Sequence, residues 1–217
     1  MKKLAVPIGS LSRDYGEKIR MEDALKYMET AYESGADIVE LRIDSIADVD
    51  LEKLIFHSPL PVIVTNRVKS EGGNFEGSEW LRMLMLKEAV NLNANYVDLE
   101  LNYLPENFEK KKSRLIVSYH NFNETPENLH EIYGKILNTN ADIIKIAVKS
   151  NSEKDNERII EMTRYSQKPI IGIGMGEIGK ITRLNSINEI DYVSLPGQSN
   201  APGQFNIDEV KKAFKFE

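Results

Sequence analysis

Eight short apolar, β-branched runs recur along a chain of 217 residues, and amphipathic segments separate most of them. The runs are LAVPIG (4–9), IVELRID (38–44), PVIVTNR (61–67), YVDLEL (96–101), RLIVSYH (114–120), IIKIAVK (143–149), PIIGIGM (169–175) and DYVSLP (191–196). Between them MEDALKYMETAYESG, SEWLRMLMLKEAVNLN, PENLHEIYGKILNTN, NSEKDNERIIEMTRYS and a shorter EIGKITRLNSINE carry apolar residues at helical spacing, and IDEVKKAFKF follows the last run. Strict alternation of strand and helix implies parallel strands with right-handed crossovers, and near-continuous apolar strands imply burial on both faces. Eight such units in one short chain predict a closed (β/α)8 barrel, the TIM-barrel class of α/β fold, as a single domain over residues 1–217. The crossovers at 51–57 and 103–112 show the weakest helical pattern. A doubly wound open sheet is the alternative, but no GxGxxG follows the first run, and the late GIGMGEIG (172–179) is a weak phosphate signal.

Composition narrows the chemistry. A formal net charge of -6 argues against a nucleic-acid partner, which would require a concentrated basic surface. The absence of cysteine excludes disulfides, thiolate metal sites and a cysteine nucleophile. No run approaches the roughly 20 apolar residues of a membrane span, and MKKLAVPIG is too short for a signal peptide. The expectation is a cytoplasmic protein without a membrane partner.

In a barrel the active site lies at the carboxyl ends of the strands, so polar residues there call for a reason. Period two places Glu40, Arg42 and Asp44 on one face of the second run, with Arg67 ending the third and Asp98 and Glu100 on the fourth. These groups either form an ion-paired layer filling the barrel or orient donors toward a polyhydroxylated ligand. Lys145 lies among Ile143, Ile144, Ile146 and Val148. Burial would lower its pKa and supply a neutral amine for carbonyl addition, or else it is an interior lysine paired with Glu40 or Glu100. His120 ends the fifth run at the face Lys145 reaches, which suits a general acid/base as well as a core histidine. His57 and His130 read as surface residues, and from spacing alone so does Arg183. PGQSNAPGQFN, after the eighth run, has the length and composition of a lid.

Seven strings together resemble the type I 3-dehydroquinate dehydratases of the shikimate pathway. They are VELRID (39–44), VTNR followed by EGG (64–73), YVDLEL (96–101), SYHNFNETP (118–126), ADIIKIAVK (141–149), GMGEIGKITR (174–183) and APGQ (201–204). The resemblance implies a hydro-lyase, commonly a homodimer, that uses no metal or organic cofactor and converts 3-dehydroquinate to 3-dehydroshikimate. Lys145 would form a Schiff base with the substrate ketone. His120 would move the proton from the adjacent carbon to the leaving hydroxyl and help form and hydrolyse the imine, with Glu71 holding it. Arg183 would grip the carboxylate, Glu40, Arg42 and Arg67 would line the site, and Gln204 would reach in from the lid. Asn200 stands where the family commonly has Ser, and the approach to the eighth run departs from the usual FGS-rich pattern.

Overall fold

In most strands successive apolar side chains divide between two separate clusters, which is the signature of a sheet rolled up inside a shell of helices. The computed structural model describes residues 2–9, 18–196 and 203–214. Its barrel strands are β1 (Lys3–Ile8), β2 (Ile38–Arg42), β3 (Val62–Thr65), β4 (Tyr96–Glu100), β5 (Arg114–Asn121), β6 (Ile143–Lys149), β7 (Ile170–Met175) and β8 (Ile190–Tyr192). All ladders among them are parallel, in the order β8-β1-β2-β3-β4-β5-β6-β7.

The helices are α1 (Met21–Glu33), α2 (Leu51–Phe56), α3 (Glu79–Asn91), α4 (Leu129–Leu137), α5 (Glu153–Arg164), α6 (Lys180–Asn185) and α7 (Ile207–Phe214). Each long one turns a buried stripe to the barrel: Ala24, Met28 and Ala31 on α1, Leu129, Ile132 and Ile136 on α4. These stripes meet the outward strand residues Val39, Val64, Val97, Val117 and Ile146 in the larger cluster. Full burial of each aliphatic side chain contributes about 1.5–3 kcal/mol. Ser78 and Ser152 cap α3 and α5 by accepting from the Leu81 and Asp155 amides.

The two crossovers with weak helical patterns are the irregular ones. α2 has only six residues, and among the described residues no α-helix joins β4 to β5, where a 3-10 turn (Leu101–Tyr103) precedes irregular chain anchored by buried Phe108. The eighth strand is shorter than the sequence suggests. After Tyr192 the Val193 amide still donates to the Ala5 carbonyl, but Ser194 then bridges Asn206 just before α7.

Closure between β7 and β8 depends on a side chain. The Asn188 carboxamide accepts from the Gly172 amide (2.9 Å), donates to the Gly172 carbonyl (3.4 Å) and donates to Asp191 (2.7 Å), while the Glu189 amide reaches the Ile170 carbonyl (2.8 Å). An amide side chain thus supplies the paired donor and acceptor that a regular ladder would offer.

Candidate active site

One step of period two along the strands converts the apolar floor of the barrel into a polar layer. Ile38 is followed by Glu40, Ile63 by Thr65, Tyr96 by Asp98, Ile116 by Ser118, Ile143 by Lys145 and Ile190 by Tyr192. Lys145 is 5% exposed. Its Nζ donates to Asp98 Oδ2 (2.8 Å), Glu40 Oε1 (3.4 Å) and Tyr192 Oη (3.1 Å), with the Tyr192 ring centroid 4.3 Å away. Asp98 Oδ1 accepts from Arg67 Nη2 (2.8 Å) and Ser118 Oγ (2.6 Å), so one carboxylate lies between two cations. Arg67 Nη1 also reaches Glu100 Oε1 (2.9 Å). The first sequence reading of the acidic residues therefore holds: Asp98 and Glu100 belong to an ion-paired layer, and that layer also surrounds the Lys145 amine.

The charge state of Lys145 follows the second of its two sequence readings, an interior lysine paired with Glu40, with Asp98 as the closer partner. Burial by itself lowers an ammonium pKa, but the carboxylates of Asp98 and Glu40 outweigh it and hold Lys145 above its ordinary value. Asp98 is the mirror case. Burial raises a carboxyl, yet Arg67 and Lys145 together hold it well below the usual carboxylate range. The resting site is an ion pair.

Glu71 and His120 form a second, adjoining unit. Glu71 Oε2 accepts from the His120 backbone amide (3.0 Å) and lies 2.9 Å from His120 Nδ1. A carboxylate at Nδ1 selects the tautomer protonated there and leaves Nε2 as the basic nitrogen. Burial, reinforced by Arg67 and Lys145, lowers the His120 pKa well below its ordinary value and keeps the ring neutral. Burial also raises the Glu71 carboxyl, to about 7, against the pull of Arg67. The loop that carries Glu71 depends on two glycines: Gly72 has φ 77°, and at Gly73 a side chain would collide with the Arg67 carbonyl.

Around this pair, Arg42 is bound by Asp44 through Nε (3.0 Å) and Nη2 (2.8 Å). Arg183 corrects the surface reading. It is 7% exposed on α6, its Nη1 reaches only the Tyr192 carbonyl at 3.4 Å, and its Nε has no partner among the described residues. Its apolar surroundings lower its pKa to about 10. The short helix packs on β7 with Thr182 and Arg183 turned inward, while Ile181 and Asn185 stay exposed. Gln204 is half-buried, with Oε1 unpartnered among the described residues, and Asn200 lies outside them. His57 and His130 are exposed, as expected.

Two participants had no flag in the sequence reading. Tyr192 was part of a strand pattern, although period two would have aimed it inward beside Lys145. Arg82 is fully buried on α3, where it binds Glu79 and Glu100 and lies 5.2 Å from the centroid of Tyr103. Its signal was a charge heading the buried stripe Leu86, Ala89 and Val90.

Residues 19–217 match the family model for type I 3-dehydroquinase. The chain is 38% identical over 207 residues to the 3-dehydroquinate dehydratase of Methanocaldococcus jannaschii, covering 90% of this chain and 91% of that protein. It is 37% identical over 202 residues to the bifunctional 3-dehydroquinate dehydratase/shikimate dehydrogenase of Arabidopsis thaliana, covering 86% of this chain and 34% of that protein. Among solved structures, the 3-dehydroquinate dehydratase of Aquifex aeolicus superposes with a TM-score of 0.76 at 31% identity, covering 99% of this chain and 98% of that one. The Clostridium difficile type I enzyme, solved with covalently modified comenic acid, superposes with a TM-score of 0.81 at 26% identity, covering 99% and 91%.

Proposed function

Since the chain belongs to the type I 3-dehydroquinase family, we propose that it dehydrates 3-dehydroquinate to 3-dehydroshikimate through an imine on Lys145, with His120 as general acid and base. Dehydration of 3-dehydroquinate follows from membership in the family; the residue roles are our reading. The observation that carries them is the buried Lys145 amine, held by Asp98 and Glu40 midway along the strands and one step of period two below the Glu71–His120 pair.

The chemistry follows from these positions. Lys145 nitrogen bonds to the ketone carbon and water leaves, so the substrate becomes a cationic iminium. That cation draws electrons from the neighbouring carbon, and His120 Nε2, neutral and oriented by Glu71, removes the proton there. The resulting enamine expels the β-hydroxyl, which takes a proton from His120, and water then releases the product and restores the amine. General acid/base help of this kind contributes about 10²- to 10⁴-fold. Arg183, with few protein partners, binds the substrate carboxylate through its planar fork. Glu40, Arg42, Arg67 and Gln204 face the hydroxyls; Asn200, outside the described residues, belongs to the same proposal.

The comenic acid adduct of the C. difficile enzyme supports covalent chemistry for this fold and family. Incubation with 3-dehydroquinate and borohydride, followed by peptide mapping, should yield a reduced adduct on Lys145. Parallel absorbance measurements without reductant should record the conjugated enone. Product without an adduct would sink the imine mechanism and leave the dehydratase activity standing. The cytoplasmic location and homodimeric state belong to the same proposal, and sedimentation at twice the mass of the chain would support the second.

A further inference from the structure

Forming the imine requires a proton carrier at Lys145 Nζ, and the three groups touching that atom differ in their fitness for the task. An ammonium and a ketone yield an iminium and water. The nitrogen–carbon bond forms, the carbon–oxygen bond breaks, one ammonium proton stays on nitrogen and two depart with the oxygen. Both must travel from Nζ to the ketone oxygen.

Asp98, the closest partner at 2.8 Å, is ionised between Arg67 and Lys145 and gives little room for a proton. Glu40 is the farthest at 3.4 Å, and its Oε1 already accepts from Thr65 (2.9 Å). Tyr192 Oη, at 3.1 Å, is the one group of the three that accepts from an N–H and carries a proton of its own in the resting state. His120 stands one step higher, opposite Ala147 where Ser118 opposes Lys145, and its Nδ1 is engaged by Glu71.

Resting on the Schiff-base reading above, we propose that Tyr192 is a further catalytic residue: its hydroxyl accepts a proton from Lys145 Nζ and passes its own to the ketone oxygen, once as the nitrogen–carbon bond forms and again as the carbon–oxygen bond breaks and that oxygen leaves as water. The relay changes no net charge, because one proton arrives at the phenol as another leaves. It also follows the donor count. The ammonium has three N–H groups for three partners, and the iminium has one, which Asp98 retains. Tyr192 thus loses its donor at the stage when the oxygen requires protons. Burial raises the Tyr192 pKa, with Glu40 adding to it, so the phenol remains protonated between turnovers. His120 shares the imine steps and also serves the carbon proton and the β-hydroxyl.

The test is rapid-quench borohydride trapping on Lys145 at saturating 3-dehydroquinate, comparing wild type with Tyr192→Phe, which keeps the ring beneath Nζ and removes only the hydroxyl. The variant should form adduct about 100-fold more slowly, at the low end of general acid/base contributions. Its kcat should fall in step and its KM should stay within about twofold. Trapping at the wild-type rate would overturn the proposal. So would a normal Tyr192→Phe beside an impaired Tyr192→Leu, since the ring would then act by packing alone. If wild type itself traps nothing on Lys145, the Schiff-base reading falls and takes this inference with it.

Discussion

The floor of the barrel and the layer above it are built by the same strands two residues apart, yet they obey opposite energetics. Below, Ile38, Ile63, Ile116, Ile143 and Ile190 fill the interior and stabilise by leaving water. Above, Glu40, Asp98, Lys145 and Arg67 lose hydration on burial and persist only because each is paired. The comparison teaches that one backbone geometry holds either a core or a reactive cluster. Which it holds depends on whether every buried charge finds its partner.

The sharpest way to break this contrast is Lys145→Met, which keeps length and removes charge. Activity should fall about 10³-fold or more and no borohydride adduct should form. Stability should fall as well, by up to about 3–5 kcal/mol, because Asp98 and Glu40 lose their shared cation. Denaturant titration beside the enone assay reads both. A variant with near wild-type turnover would show that the upper layer is merely structural.

Ile143→Ala, one step below on the same strand, should give the reverse pattern. The loss is expected in stability, about 2–5 kcal/mol from lost transfer and an unfilled cavity, with kcat of the folded enzyme within about twofold. Chemical unfolding with kcat measured well below the transition separates the two. A large kcat loss would mean that the floor sets the Lys145 geometry and that the two layers are not independent.

The smallest effect concerns pH. Glu71, raised to about 7 in the folded protein from 4.5, lowers stability as pH climbs from about 4.5 through 7, because the unfolded chain ionises more readily. His120 acts in the other direction. Its depressed pKa makes stability rise as pH climbs through 6.5, where the unfolded histidine gives up its proton. The two slopes oppose each other in wild type, so Glu71→Gln should leave a thermal midpoint that rises more steeply between pH 5 and 8. An unchanged slope would mean that the Glu71 carboxyl is not held high by burial.

Much of the site was legible because barrel strands obey a local rule. Period two placed Glu40, Lys145 and His120 on inward or rim positions without any knowledge of their neighbours. Arg183 was misread for the opposite reason: a six-residue helix has too little periodicity to show which face is buried. Arg82 announced itself only as a charge on an apolar stripe, and Tyr192 was hidden in a strand whose end the alternation overestimated.

By itself the sequence determined the eight parallel strands, the inward side of each, and the chemical types that meet at their carboxyl ends, since alternation and burial pattern are properties of neighbouring residues. Tertiary structure alone decided that Lys145 rests as a cation, because its partners Glu40, Asp98 and Tyr192 lie 105, 47 and 47 residues away in the chain. It also decided that the Asn188 side chain closes the seam and that Glu71 meets His120. A pKa is a sum over charges in space, and chain order does not fix their distances until the barrel closes.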